Sequence, residues 1–140
     1  MKLIAHRGNI DGRNVEAENS PDYVERAIRK GYDVEVDAWL LDRIYLGHDE
    51  PQYGIEIDFL LRHHVNLWIH CKDIKSLELL SGMDSLNVFW HEKDAYTLTS
   101  KGFIWTYPHQ KVCEKSVIVA RSAKYLKFQH CYGVCSDKLV

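Results

Sequence analysis

A broad basic field is missing from this chain: 18 Lys and Arg stand against 20 Asp and Glu, for a formal net charge of −2. Nothing of that kind is available to grip an extended nucleic acid nonspecifically, although a local phosphate site stays open. Long apolar runs are missing too. No stretch approaches the ~20 residues of a membrane span, and Met1 to Ala5 runs straight into His6 and Arg7, which excludes the apolar core of a signal peptide. The four cysteines (Cys71, Cys113, Cys131 and Cys135) form no CxxC pair and show no zinc-cluster spacing. They are expected to be reduced and mostly structural, in a cytoplasmic protein that does not attach to a membrane. Neither an internal repeat nor a low-complexity tract divides the chain, so residues 1–140 are read as one domain. An apolar share of 46% and a charged share of 27% suit a globular domain with its own core.

The periodicities that are present alternate between strand and helix. Lys2 to Ala5 reads as a short buried strand, and Gly8 permits a sharp turn or a close approach of backbone to ligand. Ser20 can cap a helix with Pro21 at its first position, Tyr23, Val24, Ala27 and Ile28 form an apolar stripe, and Gly31 marks the stop. The extended run Tyr32 to Asp37 follows, which makes a β-α-β unit and a right-handed parallel crossover. Further strands are expected at Ile44–Leu46, Leu67–Lys72, Leu86–Trp90, Phe103–Trp105, Val117–Val119 and Tyr132–Cys135. Helices are expected at Gly54–His64 and from Ile74 to near Gly82, and a short helical link at Thr97–Lys101. The late connections are short or poor in helix signals. A parallel barrel fits this order, with a doubly wound open sheet as the competing fold. An ordinary eightfold barrel needs about 250 residues, so a barrel of this length must have a stripped helical coat, above all in its second half.

Chemistry-bearing residues cluster at the ends of the early apolar runs. Alternate side chains of a strand share a face, so Glu35 and Asp37 point one way while Val34 and Val36 point the other. Two adjacent carboxylates repel unless a cation or a proton lies between them. Alone, such a pair reads as solvated acids at a strand end; here His6 and His48 end similar runs, which points to a shared site. On the Leu67–Lys72 strand, Trp68, His70 and Lys72 share one face.

His6-Arg7-Gly8, Glu18-Asn19, Glu35-x-Asp37 and His48-Asp49, in that order, resemble the N-terminal signature of the glycerophosphodiester phosphodiesterase family, within the phosphodiesterases similar to phosphatidylinositol-specific phospholipase C. The likeness is strongest over residues 4–49 and looser through Trp68–Lys72 and Gly133–Asp137. It implies a TIM barrel, here in a compact, helix-depleted (β/α) form. It also implies His6 and His48 as catalytic histidines and Glu35 and Asp37 as ligands of a divalent metal. Arg7 and Lys72 match positive residues near the phosphate, and Glu18 and Asn19 match polar residues lining the pocket. His70 stands where the family usually has a metal-binding acid. Magnesium or calcium is the favoured cofactor, and a transition ion becomes an option because of His70.

In a parallel barrel, late strand ends face the mouth of the site, so His91 can contact phosphate and Trp105 can stack on a sugar, or simply fill the core. Lys111, Lys115, Lys124 and Lys127 read as solvated faces. The expected activity is metal-dependent cleavage of a small glycerophosphodiester or sugar-linked phosphodiester, in one step or through a cyclic phosphate. The alternative is a phosphate-ligand-binding protein with a degenerate pocket. A thin helical coat leaves sheet faces in need of cover, which predicts a homodimer or a larger homo-oligomer.

Overall fold

In the computed structural model, which describes residues 1–125 and 130–140, every strand belongs to one mixed sheet. Lys127 lies outside the described residues. The strands are β1 (Lys2–His6), β2 (Asp33–Leu40), β3 (Ile44–Leu46), β4 (Tyr53–Ile55), β5 (Leu67–Cys71), β6 (Val88–Phe89), β7 (Tyr96–Leu98), β8 (Ile104–Thr106), β9 (Ser116–Ala120) and β10 (Gly133–Ser136). The helices are α1 (Pro21–Arg29), α2 (Ile57–Arg62) and α3 (Ile74–Ser81). A parallel series runs β6-β5-β2-β1-β10-β9-β8. Antiparallel β7 extends it beyond β8, and the β3–β4 hairpin folds back on the C-terminal part of β2.

The expected TIM-like barrel is not what the chain forms. The sheet curls into a half-barrel, no ladder between β6 and β8 closes it among the described residues, and helices do not alternate with strands. Length is the physical reason: 140 residues cannot supply the helical crossovers that need about 250. After α3 the connections carry no α-helix among the described residues, and β6 is two residues long. The expected helical link at Thr97–Lys101 does not form: Thr97 and Leu98 belong to antiparallel β7 and the rest is a turn, and the Gly54–His64 helix shrinks to α2 because Tyr53–Ile55 pairs with β3.

Strand parity sorts the side chains onto two faces. The convex face meets the helices: Ala5, Val34, Val36, Ile69 and Cys71 pack with Val24 and Ala27 of α1, Leu60 of α2 and Leu80 of α3. Each fully buried Val, Leu or Ile side chain there contributes roughly 1.5–3 kcal/mol. Helix α1 forms as its sequence indicates, with the Ser20 hydroxyl accepting from the Tyr23 N–H and Pro21 opening the first turn. The concave face is filled by Ile4, Trp68, Phe89, Trp105, Val117 and Cys135. Phe89 stacks on Trp105 at 4.5 Å between ring centroids, so side chains bridge the two strands that no backbone ladder joins. Above this apolar floor, at the C-terminal ends of the parallel strands, His6 of β1 pairs in register with Glu35 of β2, and Asp37 of β2 with His70 of β5. No helix among the described residues is long and apolar enough to cross a membrane.

Candidate metal and phosphate site

Glu35, Asp37 and His70 each offer a ligand atom, all within 4.8 Å of one another. Both carboxylates are almost wholly buried, at 2% and 1% exposure. Asp37 is well supported on one oxygen: the Asn19 amide donates to Oδ2 at 2.9 Å, and the Arg7 Nε lies 3.3 Å from it. Its backbone N–H donates to the Asn19 side-chain oxygen. Its other oxygen, Oδ1, has no hydrogen-bond donor, and neither has Glu35 Oε2. A buried ion left unpaired costs several kcal/mol, so these two oxygens mark a place for positive charge.

The two acids are pushed apart in proton affinity. Burial and the adjacent Asp37 charge hold the Glu35 carboxyl above the ordinary range, against the opposing pull of His6, His70 and Arg7. Asp37 is buried as well, but His48, His70 and Arg7 outweigh burial and hold it far below that range.

Arg7 is the hub on the N-terminal side. It is held at 8% exposure, with Nη1 donating to Glu18 at 3.2 Å and Nη2 to His48 Nε2 at 3.1 Å. Its backbone takes a left-handed conformation, φ 56°, as does that of Asn19, φ 67°, and the Asn19 N–H donates to the Arg7 carbonyl. Such backbone costs on the order of 1–3 kcal/mol for a residue with a side chain and persists where surrounding contacts fix it. Gly8 follows at φ +87°, and a Cβ there would lie 2.8 Å from the Tyr23 ring. Glu18 is buried between Arg7, Arg13 and Asn9.

The two site histidines differ in how they are held. His6 Nδ1 donates to Asp137 at 2.8 Å, which leaves Nε2 facing Glu35 Oε2 at 3.7 Å. Burial disfavours the His6 cation, but the Asp137 hydrogen bond and the Glu35 charge prevail and raise its pKa above 6.5. His48 accepts from Arg7 at Nε2, and its Nδ1 lies 3.5 Å from Asp37 Oδ2. Gly47 fixes this loop: a Cβ there would collide with the Glu50 carbonyl oxygen.

Other sequence candidates lie further out. His70 donates from Nε2 to the His91 carbonyl at 2.9 Å, while the His91 ring is tied to Asp94. Lys72 is half-buried just past β5, and the pairing of Glu35 and Asp37 is made by Arg7 and the histidines. Trp105 is 3% exposed, within the apolar floor beneath the site. A cavity of about 660 Å³ opens at the same end of the sheet, where the exit of β8 diverges from β9; Tyr107, His109, Val119 and Arg121 line it. Tyr107 links it to the site, its ring 5.9 Å from that of His91.

Two residues of the site received no role from the sequence. Asp137 orients His6, and Asn9 braces both Asp137 and Glu18 through its amide. A signal for Asp137 existed: it continues the concave parity of Cys135 one step past the end of β10. Asn9 carried none beyond its place after His6-Arg7-Gly8. No family model, curated protein or solved structure matches this chain.

Proposed function

We propose that the chain cleaves a small phosphodiester at this site with the help of a divalent metal. The observation that carries the reading is the pair of buried, undonated carboxylate oxygens, Glu35 Oε2 facing His6 Nε2 and Asp37 Oδ1 facing His70 Nδ1, in one cluster with His70. Glu35, Asp37 and His70 would hold the ion, which supplies positive charge against the phosphate oxygens and orients the ester.

In this reading Arg7 binds a phosphate oxygen through its planar fork, backed by Glu18 and Asp37. Turning Nη2 toward phosphate frees His48 Nε2. His6 and His48 then serve as the acid and base pair: one takes the proton of the attacking hydroxyl or water, the other gives a proton to the leaving alcohol. Asp137 keeps the His6 Nε2 turned inward. Attack by a neighbouring substrate hydroxyl gives a cyclic phosphate, and attack by water gives the open monoester. The cavity at the fork of β8 and β9 offers room for the alcohol part, reached past His91, whose ring lies 5.9 Å from that of Tyr107. A cytoplasmic setting belongs to the same proposal, since the four free thiols suit a reducing compartment. So does self-association, because Tyr96 and Leu98 on edge strand β7 are exposed; light scattering that shows only monomer at working concentration counts against it.

The test is a panel of glycerophosphodiesters and sugar-linked phosphodiesters, each with several divalent ions and with chelator, read by phosphorus NMR. The expected result is metal-dependent turnover that falls at least about 100-fold in His6→Ala, the scale of lost acid–base catalysis, with folding intact. A second reading, a phosphodiester-binding protein without turnover, draws on the engagement of His48 Nε2 by Arg7. Saturable binding with no turnover under any ion would select it.

A further inference from the structure

The metal part of the proposed function leaves open which ions the site takes, and the orientation of His70 bears on that choice. A backbone carbonyl can only accept, so the 2.9 Å contact from His70 Nε2 to the His91 oxygen puts the ring proton on Nε2. In the neutral ring, Nδ1 then carries a bare lone pair. That lone pair lies 3.2 Å from Asp37 Oδ1 and 3.9 Å from Glu35 Oε1. The Nδ1 and Asp37 Oδ1 are close but not aligned for a hydrogen bond. With the ring neutral, as ligation requires, three electron-rich atoms border one space. They lie within 4.8 Å of one another, against the ~4.2 Å that two bonds of ~2.1 Å can span. Phe89 fixes the ring from below, stacked on it at 5.2 Å and 12°.

We propose that Glu35, Asp37 and His70 form a site selective for a first-row transition dication of the manganese-to-zinc series over magnesium and calcium, with the His91 carbonyl setting the selectivity by locking the His70 tautomer. A ligating histidine characteristically donates its other ring N–H to a carbonyl or carboxylate, which fixes the ring and raises the basicity of the ligating nitrogen. Imidazole nitrogen suits borderline ions, whereas magnesium and calcium are bound through oxygen. The expected preference for magnesium or calcium is thereby replaced by one that the strand register imposes, since β5 sets His70 directly opposite Asp37.

The full chain, stripped of metal, is titrated with cobalt(II) and with magnesium. Cobalt binding is read from its visible absorption and magnesium from competition; folding of each variant is checked by thermal unfolding. The expected result is one cobalt per chain, bound at least 100-fold more tightly than magnesium. His70→Asp, with an oxygen donor in place of nitrogen, is expected to lower the cobalt-to-magnesium affinity ratio at least tenfold. His70→Asn makes the same exchange without a third negative charge and serves if His70→Asp does not fold. Nitrogen-15 NMR of the zinc-loaded protein is expected to show the ion on His70 Nδ1 and the ring proton on Nε2.

Magnesium binding as tight as cobalt, or a ratio unchanged in both variants, overturns the selectivity while leaving a metal-assisted reaction standing. An ion that NMR places on Nε2, or away from His70, overturns the role of the His91 carbonyl. Failure of cobalt and magnesium alike to bind the folded chain removes both the metal site and the metal-assisted part of the proposed function.

Discussion

The two halves of the sheet solve different problems. In β1, β2 and β5 aliphatic residues point toward the helices, while the concave side carries His6, Glu35, Asp37 and His70 at the strand ends, above Ile4 and Trp68. Beyond β6, whose Val88 shares a cluster with Leu80 of α3, no α-helix covers the sheet among the described residues, and the shared interior is occupied by Phe89, Trp105, Val117 and Cys135, joined by Trp68. The first half pays for its buried charge with a covered sheet face and a rigid N-terminal loop. The second half closes the bottom of the site with aromatic volume and adds one polar group, Asp137, to the chemistry. A short chain can thus keep a pocket at the ends of parallel strands without a helix for every strand, provided that large side chains fill the interior where backbone pairing stops.

Truncating the aromatic floor should break this division most severely. Trp105→Ala is expected to lower unfolding free energy by about 3–5 kcal/mol, the range for a large buried side chain replaced by Ala. Denaturant titration checks it, and a loss below about 1 kcal/mol would show that β6 and β8 do not depend on this contact. Removing charge from the first half should do the opposite. Glu35 ionises against burial and the Asp37 charge, so Glu35→Gln is expected to stabilise the metal-free protein by about 1–2 kcal/mol at neutral pH while abolishing tight ion binding. Denaturation in chelator, paired with the cobalt titration, decides the point; lower stability would mean that the carboxylate is already compensated.

A smaller effect links the halves through the His6–Asp137 pair. The His6 pKa is raised above 6.5 and the Asp137 pKa lowered below 3.8. The His6 contribution to stability is full below pH 6.5 and fades as pH rises through its raised value. The Asp137 contribution is full above pH 3.8 and fades as pH falls through its lowered value. Asp137→Asn is therefore expected to cost most, about 1–2 kcal/mol, near pH 5, and distinctly less above pH 8. Unfolding curves at both pH values test this, and a flat difference would place Asp137 outside the titration of His6. The smallest expected change is local to the first half. Ser20→Ala removes the α1 cap and is expected to cost about 1 kcal/mol without altering cobalt affinity.

The legibility of the chain follows the same divide. Helix α1 and strands β1, β2 and β5 could be read because capping, helical spacing and alternation all agreed, and because the helices on the convex face reinforce that pattern. Strand β7 could not, since Thr97 to Lys101 carries too few apolar residues to show a period, and only the antiparallel partner β8 makes it extended. The closed barrel was inferred from strand order, which does not encode whether β6 and β8 meet. The roles of Asn9 and Asp137 depend on a contact between β1 and a residue 131 positions away, and local spacing cannot express that.

What the sequence determined by itself is the set of side chains that share a face: His6 with Ile4, Glu35 with Asp37, and His70 with Trp68, because a two-residue period needs no tertiary information. What only the tertiary structure decided is which of those faces meet, and in what electrical company. The parallel register set His70 opposite Asp37, the left-handed turn at Arg7 aimed a guanidinium into the same space, and the His91 carbonyl chose the nitrogen that faces the acids. Each depends on chain segments far apart in sequence, so each was fixed only when the sheet curled.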